Sequence, residues 1–316
     1  MALTKRERVW AAVHGDKVDR PPFAFWHHFK PHNVPHALAH STIDFYERFD
    51  LDIAKIMPDL PYPFPSSSIH QADEWDLVAE LQPNVGNLGR MIQTTKLVRD
   101  RLGPTTPLVV TVFSPITEAR RFAGGPEAIH EHLVQNPADV HGALGVLAGN
   151  LSAYCRALLD AGADGIYYAL QGIADGWLSE SEFREFARPY DFQVLNACSA
   201  GWLNVVHLHG GSNLMVDLGL DYPCSVVSWE DRQTGVRLDK LREKLGTKAA
   251  MGGIDERGAI ARGDIADLTR EIRDALDQTD GGRHLILAPG CSVPDDIDEE
   301  HLRQARRAVD DLFGTG

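Results

Sequence analysis

Two histidines, His207 and His209, end a short apolar segment with the sequence VVHLHGG at positions 205–211. In an extended strand alternate side chains share a face, so both imidazoles should point the same way where the strand ends. Two imidazoles at one strand end could bind a metal ion. Histidines at such positions are more often hydrogen-bonded polar residues, so the rest of the sequence has to decide between these two interpretations.

Apolar segments alternate with helical patterns along the whole chain, and eight of them are predicted strands. They span residues 23–26, 52–57, 108–112, 165–169, 203–208, 224–228, 248–251 and 284–288. The predicted helices span residues 4–13, 43–49, 87–102, 126–134, 137–160, 181–200, 213–218, 237–245, 267–276 and 299–313.

Eight strand-helix units predict a closed parallel (β/α)8 TIM barrel, with an N-terminal helical extension and a long loop at 61–86 after the second strand. We expect residues 1–316 to form this single domain. An open doubly wound sheet is the alternative. Because no GxGxxG or Walker-type loop follows a strand, nothing indicates a dinucleotide or nucleoside triphosphate site.

Active sites of such barrels lie at the carboxyl ends of the strands. His207 and His209 follow the fifth predicted strand, Glu230 the sixth and Cys291 the eighth. Imidazole, carboxylate and thiolate donors together suit zinc and are tolerated by other divalent metals. Glu230, which precedes Asp231 and Arg232, could instead belong to a surface ion pair. The four donors together favour a metal site.

Five further polar side chains should line the same end of the barrel. They could bind substrate, and the two histidines could transfer protons, although histidines beside Trp26 could equally be packing residues. These candidates are His27, His28, Asp59, Tyr168 and Gln171. Glu230 is a catalytic candidate as well, as a ligand that is displaced when substrate enters.

Composition limits the partners. Asp plus Glu number 45 against 31 Lys plus Arg, giving a formal charge of -14, which argues against nucleic acid and anionic membranes. No signal peptide pattern or run of 18 apolar residues is present, so a cytoplasmic enzyme acting on small molecules is expected. Cys155, Cys198 and Cys224 are expected to be buried core residues, because no CxxC spacing indicates disulfides or further metal ligands.

The chain resembles the uroporphyrinogen decarboxylase superfamily, which includes zinc-dependent thiol methyltransferases and is similar to the catalytic barrel of cobalamin-independent methionine synthase. The resemblance extends from the RPP sequence at 20–22, through GGID at 252–255, to APGCSVP at 288–294. In the methyltransferase branches a His-x-Cys pair and a later cysteine hold zinc, and methionine synthase adds a glutamate. His207, Glu230 and Cys291 match those places, whereas His209 stands where the relatives have cysteine.

That exchange leaves one less negative charge on the ion, so the metal would be more Lewis acidic and need not be zinc. The decarboxylase branch matches less well, because residues 25–32 contain none of the arginines that bind tetrapyrrole carboxylates. Asp59 resembles the central aspartate of that branch. The tyrosine expected after the third strand is replaced near Arg121, and its last-loop histidine is replaced by Cys291.

The resemblance therefore implies metal-dependent methyl or alkyl transfer to or from a thiol or corrinoid, with a corrinoid protein as a partner and a homodimer as the assembly. Three alternatives stay open. They are decarboxylation of uroporphyrinogen in porphyrin biosynthesis, a metal-dependent lyase or hydrolase that activates water or polarises a carbonyl, and a degenerate barrel that binds a corrinoid or tetrapyrrole without turnover.

Overall fold

A computed structural model describes residues 3–29, 34–63 and 68–314. Within these residues, seven strands form one parallel sheet in which each strand pairs with the next along the chain. The strands are β1 Ala54–Ile56, β2 Leu108–Phe113, β3 Gly165–Leu170, β4 Val205–Leu208, β5 Val226–Trp229, β6 Ala249–Ile254 and β7 Leu285–Pro289.

Most helices connect the strands and cover the outer face of the sheet, whereas the first helix packs Val9 and Val13 into the inner core. The helices are α1 Lys5–His14, α2 Pro35–Arg48, α3 Gly86–Leu102, α4 Pro115–Ala123, α5 Pro126–Gln135, α6 Pro137–Asp160, α7 Glu180–Glu182, α8 Arg188–Ala197, α9 Asp231–Thr234, α10 Leu238–Leu245, α11 Ala259–Arg262, α12 Ile265–Gln278 and α13 Glu299–Phe313. Short 3-10 turns occur at Trp75–Leu77 and Val216–Leu218, and a π turn occurs at Phe183–Ala187.

The sheet separates two apolar cores, as expected for strands buried on both faces. The larger core packs the outer face against the helices and includes Tyr168 and Leu208. A smaller core lies on the inner face and contains side chains from β2 to β7, including Tyr167 and Val205. Alternation along each strand therefore decides whether a side chain points inward, toward the site, or outward, toward the helices.

A segment around Phe23 lies between the two edge strands. Phe23 forms an isolated parallel bridge with Leu287 of β7, and the Ala24 amide donates to the Leu287 carbonyl at 3.0 Å. On its other side the Asp52 amide, just before β1, donates to the Phe23 carbonyl at 2.9 Å. The prediction of a strand at 23–26 is therefore wrong in detail, because only a single bridge forms.

Most other predicted elements are confirmed to within a few residues. α6 and α13 have the predicted bounds, and the Thr4 side chain caps α1 together with Glu7, as the capping box predicted. The helix predicted at 181–200 is interrupted by the π turn just before Pro189, which cannot donate a backbone hydrogen bond. The predicted helix at 213–218 is only the short 3-10 turn.

One helix, α6, is long and apolar enough to cross a membrane by length and composition alone. Residues from Val140 to Leu158 along it belong to the outer core, where it packs against α8. Its apolar character is therefore accounted for by packing within the protein. Cys155 on this helix and Cys198 are buried as expected, whereas Cys224 is half-buried.

Candidate metal centre

Three predicted ligands come together at the carboxyl end of the sheet. His207 lies in β4, Glu230 directly follows β5, and Cys291 lies two residues after β7. One ligand atom of each residue lies within 4.8 Å of those of the other two. The parallel strands bring these positions to one place because their carboxyl ends share one edge of the sheet. A nitrogen, an oxygen and a sulfur donor at this separation fit a divalent metal such as zinc.

The His207 ring is placed to bind a metal through one nitrogen. The side chain is almost fully buried, and Nδ1 lies 3.3 Å from Ser228 Oγ on the neighbouring strand. Nε2 is buried and has no hydrogen-bond partner. Burial, with the nearby His209 and Lys55, holds the pKa of His207 well below its usual value. If Nδ1 donates to Ser228, the neutral ring presents the Nε2 lone pair to the site.

The Glu230 carboxylate is held by backbone on the loop after β4. The Gly210 amide donates to Glu230 Oε1 at 3.0 Å. Gly210 has a φ of 136°, and a Cβ there would lie 2.5 Å from the Cβ of Ala174. Only glycine fits this conformation and this contact. Glu230 therefore points inward and is not half of an exposed ion pair.

Cys291 approaches Glu230 because glycine precedes it. A Cβ on Gly290 would lie 2.6 Å from the Glu230 Cα, so the two loops could not pack as closely with any other residue. Burial, followed by the charge of Glu230, raises the pKa of the Cys291 thiol. A bound cation would lower the pKa of this thiol, because it stabilises the thiolate.

His209 lies beside the three-residue group and is not part of it. Its Nδ1 is 3.7 Å from Glu230 Oε1, and its ring centroid is 5.4 Å from that of His207. Both histidines line one cavity, as the period of the strand predicted. The geometry does not meet the expectation of a fourth ligand at His209. Burial lowers the pKa of His209, so a neutral ring is favoured at this position.

Two neighbouring spaces share lining residues beside the candidate metal group. An inner cavity of about 130 Å³ is bordered by His207, His209 and Cys291. A larger cleft of about 680 Å³ is lined by Arg120 and Trp177 on the outside. Gln171 and His209 border both, and the Gln171 side chain accepts a hydrogen bond from Arg120. Gln171 is therefore at the site, where the sequence predicted it.

Of the predicted site residues His27, His28 and Asp59, only some lie near the inner cavity. His28 borders the inner cavity, and its Nδ1 lies 2.6 Å from Asp59 Oδ1. The second oxygen of Asp59 accepts from the Phe29 amide. His27 instead packs against Phe29 and Phe45, and burial lowers its pKa. The histidine-aspartate pair can contact a substrate, whereas His27 is a packing residue.

Tyr168 was predicted to line the site, and this prediction is wrong. Its hydroxyl donates to Asp191 Oδ1 at 2.8 Å, in the outer core beneath α8. The preceding residue, Tyr167, points inward instead, with its ring 5.4 Å from that of His207. A period of two allows only one of these neighbours to face the site.

Several polar residues at the site were missed from the sequence. Lys55 of β1 and Thr111 of β2 border the inner cavity. Burial lowers the pKa of Lys55 to about 7. Glu256, after β6, accepts from Gln233 at 2.6 Å, and burial, with Glu230 and Asp255 nearby, raises its pKa to about 7. A lysine inside an otherwise apolar strand was the signal that could have identified Lys55.

Comparison with known proteins gives a consistent family. The sequence model of the family described as uroporphyrinogen decarboxylase (URO-D) matches residues 57–312. A protein named uroporphyrinogen decarboxylase from Nocardia farcinica is 25% identical over 248 residues, covering 70% of this chain and 66% of the relative. The methylcobamide:CoM methyltransferase MtaA of Methanosarcina barkeri is also 25% identical, over 224 residues, covering 71% of this chain and 63% of that protein.

Among solved structures, a methyltransferase from Methanosarcina mazei superposes with a TM-score of 0.82 at 19% identity, covering 98% of this chain and 99% of that one. A protein described as a putative vitamin-B12 independent methionine synthase, from Listeria monocytogenes, gives a TM-score of 0.59 at 12% identity, with coverages of 88% and 86%. At these identities the similarity establishes a shared fold.

Proposed function

Because this chain belongs to the uroporphyrinogen decarboxylase family, whose named relatives include both decarboxylases and a methyltransferase, we propose that it catalyses metal-dependent methyl or alkyl transfer involving a thiol. The observation that carries this proposal is the group formed by His207, Glu230 and Cys291, with the buried, unpartnered Nε2 of His207. We take zinc as the metal, because one imidazole, one carboxylate and one thiolate are donors that zinc binds well.

These three residues would hold a divalent ion, which would supply the Lewis acidity that keeps a bound thiol deprotonated at neutral pH. The carboxylate of Glu230 and the thiolate of Cys291 balance the charge of such an ion, and neutral His207 adds a third donor without adding charge. Since His209 is not in the group, a fourth position is left for the substrate sulfur.

In the proposed reaction the thiol loses its proton to solvent, and its sulfur forms a bond to the methyl carbon. The bond between that carbon and its carrier breaks, and the carrier keeps the electron pair. The chain contributes by holding the sulfur and the methyl carrier in line. The larger cleft, which meets the inner cavity at Gln171 and His209, is the proposed place of the methyl carrier. A corrinoid protein is the proposed carrier, and a homodimer the proposed assembly.

The proposal includes the closed barrel. We infer that Phe23–Trp26 closes the barrel between β7 and β1 in the place of an eighth strand. Backbone hydrogen bonds join this segment to Leu287 of β7 on one side and to Asp52, just before β1, on the other. Ala24 and Trp26 also belong to the inner core. On this interpretation residues 1–316 form one domain, and the site lies at the open end of the barrel.

The decarboxylase alternative has less support in this chain. Uroporphyrinogen carries several carboxylates, and guanidinium groups are the side chains best suited to bind them. Residues 25–32, where the decarboxylases have such arginines, contain none. The nearest arginine before them, Arg20, is buried in an ion pair with Asp52 and so is not available to a substrate. A metal-dependent lyase or hydrolase would use the same three ligands, with water in place of the thiol.

Cobalt substitution separates these possibilities. Protein loaded with Co²⁺ is titrated with a small thiol, and the absorption of sulfur-to-cobalt charge transfer is recorded. The wild type should show one band from Cys291 and gain intensity as the thiol binds, whereas Cys291→Ser should lack the first contribution. If the cobalt spectrum does not respond to thiol, the alkyl-transfer proposal fails.

A further inference from the structure

Lys55 lies in the inner cavity with its ammonium group unpaired by any oxygen. The residue is 9% exposed, and Nζ contacts Met57 Sδ at 3.4 Å. Nζ also lies 4.2 Å from the centroid of the Trp26 ring and 3.9 Å from that of Tyr167. Among residues 3–29, 34–63 and 68–314, no carboxylate forms an ion pair with it. An ammonium has three donors, so at least two remain available here.

The nearby acidic groups have other partners or another role. Asp59 and Cys291 influence Lys55 electrostatically. However, Asp59 is already engaged by His28 and by the Phe29 amide, and Cys291 belongs to the proposed metal group. The aromatic rings stabilise the cation, but they do not accept its hydrogen bonds in the way an oxygen does. A buried ammonium without an acceptor is costly unless a ligand supplies one.

A second unpartnered group borders the same cavity. The hydroxyl of Thr111 is buried and has no hydrogen-bond partner. Lys55 pairs in register with Val109, so Thr111 lies two residues farther along the adjacent strand, on the same inward face. An ammonium and a hydroxyl on one wall provide donors for a group with two acceptor oxygens.

The charges also favour an anion at this wall. Glu230 and Cys291 would balance the charge of a divalent ion, and Lys55 is the one lysine or arginine among the described residues that border the inner cavity. The cavity, at about 130 Å³, leaves room for a short chain and excludes a tetrapyrrole. The apolar walls formed by Trp26 and Met57 suit a few methylene groups.

We propose that Lys55 and Thr111 form a carboxylate-binding subsite, and that the thiol substrate is a short mercapto acid with its sulfur at the metal and its carboxylate at this wall. The substrate class rests on the proposed function, whereas the carboxylate subsite can be tested without metal. Lys55 and Thr111 are then specificity-determining residues, because they select the acid over an uncharged thiol of the same length.

The test compares 3-mercaptopropionate with 3-mercapto-1-propanol by ligand-observed NMR titration, using both metal-free and zinc-loaded protein. The wild type should bind the acid about 10-fold more tightly than the alcohol in both forms, which is the effect of one hydrogen bond to a charged group. In Lys55→Met the ratio of the Kd for the alcohol to the Kd for the acid should fall to about 1, because the charged donor is lost. Thr111→Val, which keeps the side-chain shape, should also lower this preference for the acid.

Lys244→Met is the matched control, because Lys244 is an exposed lysine paired with Asp217. It should keep the wild-type ratio. The inference is overturned if the wild type shows no preference for the acid, or if Lys55→Met keeps that preference. The proposed function has a separate readout, since zinc should tighten the binding of both thiols. A lack of zinc effect with a preserved acid preference would refute thiol binding to the metal and support the subsite.

Discussion

The Nδ1 atom of His207 lies 3.3 Å from the hydroxyl of Ser228, so the two side chains are hydrogen-bonded across adjacent strands β4 and β5. This contact fixes the orientation of a ring whose other nitrogen has no partner. Hydrogen bonds of this kind orient metal ligands and select their tautomer.

Removing that hydroxyl should weaken the metal site without removing a ligand. We expect Ser228→Ala to lower zinc affinity by about 10-fold, since changes at such supporting partners typically cost 10- to 100-fold. Competition with a chromophoric chelator measures the affinity. Ser225→Ala is the control, because Ser225 bonds to the Trp202 carbonyl away from the site. Equal affinities for Ser228→Ala and the wild type would show that Ser228 does not orient the ligand.

A methyl group at Gly290 should separate two of the ligands. A Cβ there would overlap the Glu230 Cα, so Gly290→Ala must move the loop that carries Cys291. We expect a loss of zinc affinity of about 10-fold or more, comparable to disturbing a supporting partner, while the far-ultraviolet circular dichroism stays unchanged. Gly142→Ala, on α6 with open space around it, should leave affinity at the wild-type level. Retained affinity in Gly290→Ala would contradict the assigned loop contact.

The role of His209 can be separated from that of the three ligands. Because His209 lies outside the group, His209→Ala should change zinc affinity far less than His207→Ala does. It should instead weaken thiol binding, since His209 borders both the inner cavity and the larger cleft. Calorimetric titrations with zinc and then with thiol give both quantities. A loss of zinc in His209→Ala as large as in His207→Ala would make His209 a fourth ligand.

Asp191 should make stability depend on pH. It is buried beneath the hydroxyls of Tyr168 and Tyr222, and burial raises its pKa to about 7 from an ordinary value near 3.8. The folded state therefore keeps a proton that the unfolded state loses between these values. The contribution of Asp191 to the free energy of unfolding is therefore largest below about pH 4. It decreases by on the order of 1 kcal/mol per pH unit until about pH 7.

Chemical denaturation of the wild type and Asp191→Asn across this range measures the effect. The free energy of unfolding of the wild type, relative to the variant, should decrease from pH 4 to 7 and then level off. Asp217→Asn removes an exposed carboxylate that pairs with Lys244, and it should not reproduce this trend. A wild-type-minus-variant difference that is independent of pH would refute the raised pKa of Asp191.

The placement of the three candidate ligands was predictable because it depends on simple periodicities. Alternation along β4 and the common edge of parallel strands were enough to bring His207, Glu230 and Cys291 together. The same periodicity failed for Tyr168, since an unbroken apolar strand gives no sign of which of two adjacent tyrosines faces inward. The structure assigns that position to Tyr167.

Other differences between the predicted and the observed structure have local causes. The segment at 23–26 forms a single bridge, because farther along it the Trp26 carbonyl accepts from the Val293 amide in the loop after β7 and not from the strand. The helix α4 was not predicted, although Ser114 caps it and Pro115 occupies its first turn, where proline is tolerated. Lys55 was overlooked because the predicted strand was interpreted only through its apolar residues. The surroundings of the Lys55 ammonium are formed by Trp26 and Tyr167, which are distant in sequence.

The central claim is that His207, Glu230 and Cys291 bind a metal that accepts a thiol. Zinc K-edge X-ray absorption of the zinc-loaded protein tests it most directly. We predict one sulfur ligand, from Cys291, in the protein alone and two sulfur ligands after a thiol is added. A protein that does not hold zinc, or a sulfur coordination number that stays the same on adding the thiol, would contradict this account.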